Sequence, residues 1–221
     1  MTIHPRAAAP ILWCTLLAAP AAHARSASVE AFTLPLSATL AIQAPEEAPQ
    51  PSDPAATLPP LQSFGAKGTW HWSVGAGVAW NSEATDSNLY FTAHTFLTQD
   101  FEFNLTLGGW FFSQDGPDAG GVNPALGFRW HFLNHDTWSL YGEVGIGLLF
   151  TSDDVPDGGS TTNFTPRAGV GATIDLDGAA GGPRLDVGLR WHHISNASSG
   201  GASNNPSRDS IMLYAGVMFP F

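Results

Sequence analysis

The sequence predicts an all-β fold, an eight-stranded antiparallel transmembrane β-barrel of the outer-membrane type. From Lys67 onward, apolar residues alternate with small or polar residues at the two-residue period of a strand. Beyond the N-terminal segment there is no run of about 20 apolar residues, so no transmembrane helix is expected. Because only helices and closed barrels satisfy every backbone group in lipid, a membrane protein of this kind must be a barrel.

The N-terminus predicts a secretory signal peptide over residues 1–24. Arg6 precedes an apolar run over 7–22, and Ala22-His23-Ala24 offers a small-x-small cleavage site. Cys14, the single cysteine, lies inside this segment. The exported chain would therefore contain no thiol, which excludes disulfides, cysteine ligands and a cysteine nucleophile.

The next segment, residues 25–65, is rich in alanine and proline. Such a composition cannot bury enough apolar surface to offset the entropy of ordering. We therefore expect a disordered periplasmic leader over 25–65, followed by the barrel over 66–221.

The charge balance excludes a nucleic-acid partner. The net charge is −11, and it becomes −12 without residues 1–24, which contain Arg6 and no acidic residue. Phosphate backbones call for a basic surface instead. Charged residues make up 12% of the chain, roughly half the share of ordinary soluble domains, and Lys67 is the only lysine.

Eight strands follow from the alternation. Six apolar-polar runs precede a C-terminal hairpin. The runs lie at about 70–80, 89–97, 101–108, 122–132, 138–150 and 163–175, and the hairpin strands lie at 185–195 and 209–221. The closing run Val217, Phe219, Phe221 resembles the last strand of bacterial outer-membrane proteins.

Alternation alone also fits a soluble sandwich or a lipocalin-like binder, so the composition of the polar face decides between them. Glycine, serine, threonine and asparagine dominate this face, as the tight interior of an eight-stranded barrel requires. Aromatic residues gather near strand ends, as in interfacial girdles. The polar face also carries charges of both signs, at Glu102, Glu143 and Asp186 and at Arg129, Arg167 and Arg190.

Connection lengths predict the orientation. The first, third, fifth and seventh connections are long, the second and fourth are tight, and the sixth is intermediate. Outer-membrane barrels keep short turns in the periplasm and long loops outside. Both termini are then expected in the periplasm, and the hairpin loop points outward.

The C-terminal hairpin carries the chemistry. His193, Ser195 and Asp209 have the same parity as the apolar residues of their strands, so we expect them to face lipid. His193 and Ser195 are two residues apart on one face, within reach of a base and its nucleophile. If Ser195 pairs with Ser207, His193 lies opposite Asp209, as a serine hydrolase triad requires.

These residues resemble a known family. The run Arg190-Trp191-His192-His193-Ile194-Ser195-Asn196, followed by Asn205-Pro206-Ser207-Arg208-Asp209-Ser210, is similar to the lipid A 3-O-deacylase (PagL-type) family of outer-membrane barrels. The resemblance implies Ser195 as nucleophile, His193 as base and Asp209 as the acidic member, with Asn196 and Asn205 at the oxyanion or substrate-binding site. The family shows glutamate where this chain has Asp209.

By this resemblance, the chain is expected to be an outer-membrane esterase that removes an ester-linked acyl chain from lipid A of lipopolysaccharide in the outer leaflet. Its partners would be lipopolysaccharide and outer-membrane lipids, with no cofactor and no metal. The alternative is a structural or adhesive barrel without activity, and a soluble lipocalin-like binder is the third hypothesis. The sequence leaves open which ester is cleaved and whether a homodimer forms.

Other polar residues have simpler interpretations. His71, His94, His131 and His135 lack metal-ligand spacing and are predicted to lie inside the barrel or in turns. Acidic residues of the long loops are predicted to be solvated, and a weaker hypothesis assigns them divalent cations that bridge to lipid phosphates. These acids are Asp115, Asp118, Asp153, Asp154 and Asp157.

Overall fold

The computed structural model describes residues 63–178, 181–199, 201 and 205–221. The predicted signal peptide and residues 25–62 of the predicted leader lie outside these ranges. Among the residues that the structure describes, no helix is long and apolar enough to cross a lipid bilayer. The strands are β1 (Trp70–Trp80), β2 (Thr85–Thr98), β3 (Phe101–Phe112), β4 (Ala119–Asn134), β5 (Trp138–Thr151), β6 (Thr162–Phe164), β7 (Arg167–Asp175), β8 (Arg184–Ser195) and β9 (Ser207–Pro220).

The strands close into a ring in which all pairings are antiparallel. Consecutive strands pair from β1 to β5, and β9 returns to pair with β1. The ring is sealed between β5 and β8 by β6 and β7. The predicted antiparallel barrel is confirmed.

The predicted sixth strand is divided into β6 and β7 at Thr165 and Pro166. Proline has no N–H to give to the ladder, so a break at this position is expected. The wall nevertheless stays joined there. Thr165 exchanges two backbone hydrogen bonds with Gly147 (2.9 and 3.2 Å), and the Pro166 carbonyl accepts one from the N–H of His193 (3.1 Å). Eight wall positions are therefore built from nine strand segments.

The apolar face of the wall is exposed, as the alternation predicts. Residues at the middle of strands, such as Leu105, Val144 and Leu213, are more than half exposed. The opposite face is buried and largely polar. This inverts the arrangement of a soluble barrel, and it is the pattern of a wall that contacts lipid.

The centre of the lumen holds a network of buried ion pairs around Arg129. Its guanidinium lies 3.2 Å from Glu143 and 3.0 Å from Asp186, and Glu143 lies 2.8 Å from Arg190. Tyr141 donates a hydrogen bond to Asp186. These four lumenal charges thus pair with one another, as buried charges must.

Nearer one end, Glu102 lies between two histidines. Its carboxylate is 2.7 Å from His94 and 3.3 Å from His131, both of which are buried. His71 is buried as well, so the prediction of interior histidines is confirmed for these three. Arg167 is also inside, but its guanidinium donates to the hydroxyl of Thr106 (3.3 Å) instead of forming a short ion pair.

The lumen contains large apolar side chains that the sequence did not lead us to expect. They fill the end that carries the connections β1–β2, β3–β4, β5–β6 and β8–β9, which we call the loop end. The cluster consists of Ala79, Trp110, Phe112, Ala119, Leu149, Val155, Ile194, Met212 and Tyr214. This end of the barrel is therefore closed by apolar packing as well as by the polar network.

At the opposite end, which we call the terminus end, Phe64 closes the barrel. Its ring lies 5.3 Å from the ring of His71, 5.2 Å from that of Phe96 and 5.3 Å from that of His131. The guanidinium of Arg184 stacks over it at 4.2 Å. Phe64 belongs to the range predicted as leader, and its ring lies against the lumen.

Candidate active site

The register of β8 and β9 decides whether the predicted residues meet. Ser195 pairs with Ser207, and His193 pairs with Asp209. Paired residues point to the same face of a sheet, and this face also presents the exposed Leu189, whereas the alternate face is buried. The structure therefore brings the histidine and the acid together on the outer wall, at the loop end.

The His193–Asp209 contact has the geometry of a base and its acidic partner. The Nδ1 atom of His193 lies 2.9 Å from Oδ1 of Asp209. An ionised carboxylate only accepts hydrogen bonds, so Nδ1 carries the proton and Nε2 is the basic nitrogen. This tautomer is the one that a general base for a serine requires. The Asp209 side chain is 58% exposed, so the pair is reachable from outside the wall.

Ser195 has the same outward parity but is much less exposed, at 9%. Among the hydrogen bonds of the described residues, none joins its hydroxyl to His193. The two residues remain neighbours at the i, i+2 spacing of one strand. Catalytic hydrogen bonds are often long in unliganded enzymes and tighten when substrate binds.

An apolar groove on the outer wall ends at Phe164, the strand neighbour of this serine. Phe164 of β6 is the cross-strand partner of Ser195, and its other neighbour is Leu148 of β5. Beyond them the groove continues across β5, β4 and β3. Its lining residues are Leu105, Pro124, Ala125, Leu126, Ile146, Gly147, Leu148 and Phe164.

Trp191 adds a contact that the sequence did not predict. Its indole N–H donates to Oδ1 of Asp209 (2.8 Å), the same oxygen that accepts from His193. Trp191 pairs with Ile211, so Asp209 is its diagonal neighbour on β9. A long aromatic side chain reaches that distance. The register rule that predicted the His193–Asp209 pair could thus also have found Trp191.

The two predicted asparagines lie in the connection between β8 and β9. The backbone N–H of Asn196 donates to Oδ1 of Asn205 (3.1 Å), and Oδ1 of Asn196 accepts from the N–H of Ser198 (2.9 Å). Ala197 and Ser198 both have positive φ, at 51° and 62°. The left-handed conformation costs about 1–2 kcal/mol for each such residue, so these bonds hold a strained backbone directly after Ser195.

Behind the site, Arg208 anchors the start of β9 to the lumen. Its guanidinium contacts both carboxylate oxygens of Asp86 on β2 (2.9 and 3.1 Å) and the side-chain oxygen of Gln114 (3.0 Å). Asp86 also accepts from the N–H of Ser113 (3.3 Å). Arg208 directly precedes Asp209, so this buried pair fixes the strand end that carries the acid.

Within the described ranges, no group of three or more histidine, cysteine, aspartate or glutamate side chains could hold a metal ion. His192 alternates with the outward Trp191 and His193 on β8; it is buried and stacks on Trp110 at 4.7 Å. His135 lies in the short connection between β4 and β5, where a turn position was expected.

The comparison with known families is decisive. The model of the lipid A 3-O-deacylase (PagL) family matches residues 55–218. This chain belongs to that family. The match includes β1 to β8, most of β9 and the motif residues from Arg190 to Ser210. The resemblance that the hairpin motif indicated is confirmed.

Three solved structures are similar to this chain. The crystal structure of Neisserial surface protein A (NspA) is 20% identical, with a TM-score of 0.53, over 71% of this chain and 99% of that one. The outer membrane enzyme PagL is 19% identical, with a TM-score of 0.47, over 67% and 99%. The N-terminal β-barrel domain of Pseudomonas aeruginosa OprF is 13% identical, with a TM-score of 0.47, over 70% and 98%.

A comparison with curated protein sequences gave no match. Family membership and the barrel fold together locate this deacylase-family chain in the outer membrane. The roles of Ser195, His193, Asp209, Asn196 and Asn205 are still predictions, because the family match does not test single residues.

Proposed function

We propose that this protein hydrolyses an ester-linked acyl chain of lipid A in the outer leaflet. The observation that carries the proposal is the 2.9 Å contact between His193 and Asp209 on the outer wall, two residues from Ser195. Polar groups beside lipid are costly and usually functional. Family membership supplies the substrate class, and the ester is a bond that a serine nucleophile can attack.

The proposed reaction begins when Oγ of Ser195 attacks the acyl carbonyl carbon and its proton passes to Nε2 of His193. The tetrahedral intermediate collapses to an acyl-serine, and the imidazolium gives its proton to the sugar oxygen that leaves. Water, deprotonated by the same imidazole, then releases the fatty acid and restores the serine. Asp209 stabilises the imidazolium in both halves.

Asn196 and Asn205 are proposed to serve the oxyanion. An oxyanion site works through donors that are already fixed before the reaction. The hydrogen bonds between the two asparagines and Ser198 hold the backbone that follows the nucleophile. Their role would thus be to keep this segment rigid around the developing negative charge.

The apolar groove supports a lipid substrate. It is formed mostly by exposed apolar wall residues and ends at Phe164, the cross-strand partner of Ser195. With the long connections outside the cell, the site lies at the level of the outer leaflet. An acyl chain could therefore reach the serine without leaving the apolar layer.

The test is to express the wild type and Ser195→Ala in a Gram-negative host and to compare lipid A masses. The wild type is expected to remove one acyl chain, and Ser195→Ala is expected to remove none. Ser207→Ala is the matched control, because Ser207 is the cross-strand partner of Ser195 and is exposed on the same face. Equal lipid A masses in cells with wild type and Ser195→Ala would overturn the proposal and favour a non-enzymatic barrel.

A further inference from the structure

The acid of the proposed triad is held by two donors on one oxygen. The indole N–H of Trp191 and Nδ1 of His193 approach Oδ1 of Asp209 at 2.8 and 2.9 Å. Because Asp209 is 58% exposed, few protein atoms pack around its carboxylate. The second donor, the Trp191 N–H, therefore restricts a rotation of the Asp209 carboxylate that the contact with His193 alone would allow.

The indole also packs beside the base. The ring centroids of Trp191 and His193 are 5.6 Å apart, with an angle of 30° between the planes. The Trp191 ring thus lies beside the His193 imidazole, and the Trp191 N–H contacts the Asp209 carboxylate. Both contacts restrict the two side chains whose mutual orientation sets the basicity and direction of Nε2.

A tryptophan on the wall of a membrane barrel has an ordinary explanation as an interfacial anchor. Trp130 of β4 fits that explanation, since it is 62% exposed and its ring contacts Phe132 at 6.1 Å. Trp191 differs because its N–H points along the wall to a carboxylate. Near lipid, an indole N–H needs a partner, and here the partner is the acid of the site.

We propose that Trp191 is a positioning residue of the hydrolase, which holds the Asp209 carboxylate in the orientation that orders His193. This inference rests on the proposed function. Trp191 acts through Asp209, because its N–H donates to the carboxylate and not to Ser195 or to Nε2 of His193. Its loss should therefore lower kcat and leave KM for the lipid unchanged.

The experiment uses the full-length protein in detergent micelles with purified lipopolysaccharide as substrate. Trp191→Phe keeps an aromatic ring at the wall and removes the N–H. A hydrogen bond to a charged group is worth about ten-fold or more in rate, so kcat is expected to fall about ten-fold. Trp130→Phe is the matched control and should keep the wild-type kcat. Heat-modifiable gel migration verifies that each variant is folded.

A double-mutant cycle separates positioning from a general effect on the wall. In an Asp209→Ala background, Trp191→Phe is expected to cause no further loss of kcat, because the group on which it acts is gone. A full ten-fold loss in that background would overturn the proposal, as would a wild-type kcat in Trp191→Phe alone. An inactive wild type, or an active Ser195→Ala variant, would instead overturn the proposed function, so the two failures are distinguishable.

Discussion

Two polar clusters of the barrel differ in exposure, since one is sealed in its lumen and the other is open on its outer wall. In the lumen, Arg129 contacts Glu143 and Asp186 at 3.2 and 3.0 Å, and all three side chains are nearly inaccessible. On the wall, His193 contacts Asp209 at 2.9 Å, with 22% and 58% of these side chains exposed. The charges of the lumenal cluster are enclosed by one another, whereas the wall cluster lies on the outer, lipid-facing side.

The difference indicates what each cluster is for. Removing a partner from the lumenal network leaves a buried charge uncompensated, so these residues are expected to stabilise the fold. The exposed His193–Asp209 pair contributes little to the free energy of unfolding, although placing polar groups beside lipid is costly. Polar residues on the wall are therefore expected to serve chemistry, and the following variants test this division.

The largest expected effect is on activity at the wall. His193→Gln removes the proposed base, so the rate of lipid A deacylation should fall at least about 1,000-fold. The free energy of unfolding should change by less than about 0.5 kcal/mol, because the side chain is partly exposed. Deacylation assays and urea unfolding in micelles measure the two quantities. His135→Gln, in the exposed β4–β5 connection, is the control, and an active His193→Gln would contradict the assignment.

The next effect is on stability in the lumen. Arg129→Met leaves Glu143 and Asp186 without their central cation, so the free energy of unfolding should fall by about 3–5 kcal/mol. The folded fraction should deacylate within about two-fold of the wild type. Urea unfolding of Arg129→Met is compared with that of Glu83→Gln, an exposed change of charge. A large loss of activity in folded Arg129→Met would show that the clusters are coupled.

Asp86→Asn tests a buried ion pair that links the lumen to the wall site, because its partner Arg208 directly precedes Asp209. It weakens the hold on Arg208, which precedes Asp209, so both quantities should change. We expect a loss of about 2 kcal/mol in unfolding free energy and about a five-fold loss in kcat. Unfolding and kinetics of the purified variant measure them. An apolar double variant, Asp86→Leu with Arg208→Met, should recover stability better than kcat; equal recovery of both would show that the pair has no positioning role.

The smallest effect is expected at the terminus end. Phe64→Ala removes a half-buried ring from between His71 and Phe96, at a cost of about 1–2 kcal/mol. Deacylation should be unchanged, because the site lies at the loop end. Unfolding and activity of Phe64→Ala are compared with those of Ser63→Ala, an exposed neighbour. Reduced activity would mean that closure of the lumen matters to the wall.

The sequence by itself determined the strand content and the two faces of the wall. A period of two residues assigns every side chain to one face, so the outward parity of His193, Ser195 and Asp209 follows from local spacing alone. In an antiparallel pair the numbers of partner residues add to a constant. Assuming the Ser195–Ser207 pair therefore predicted the His193–Asp209 pair, and the structure has that register. The hairpin motif gave the family, which the family match confirms.

Only the tertiary structure decided which distant side chains meet. Three features join segments that are far apart in sequence. They are the hydrogen bonds that Arg208 donates to Asp86, the apolar cluster around Trp110 and the packing of the Phe64 ring in the lumen. For Trp191, the register made Asp209 a diagonal neighbour, and the side-chain rotamer then directed the indole N–H to it. Periodicity fixes the face on which a residue lies, but closure of the ring determines its neighbours across the lumen, because those contacts depend on the shape of the whole wall.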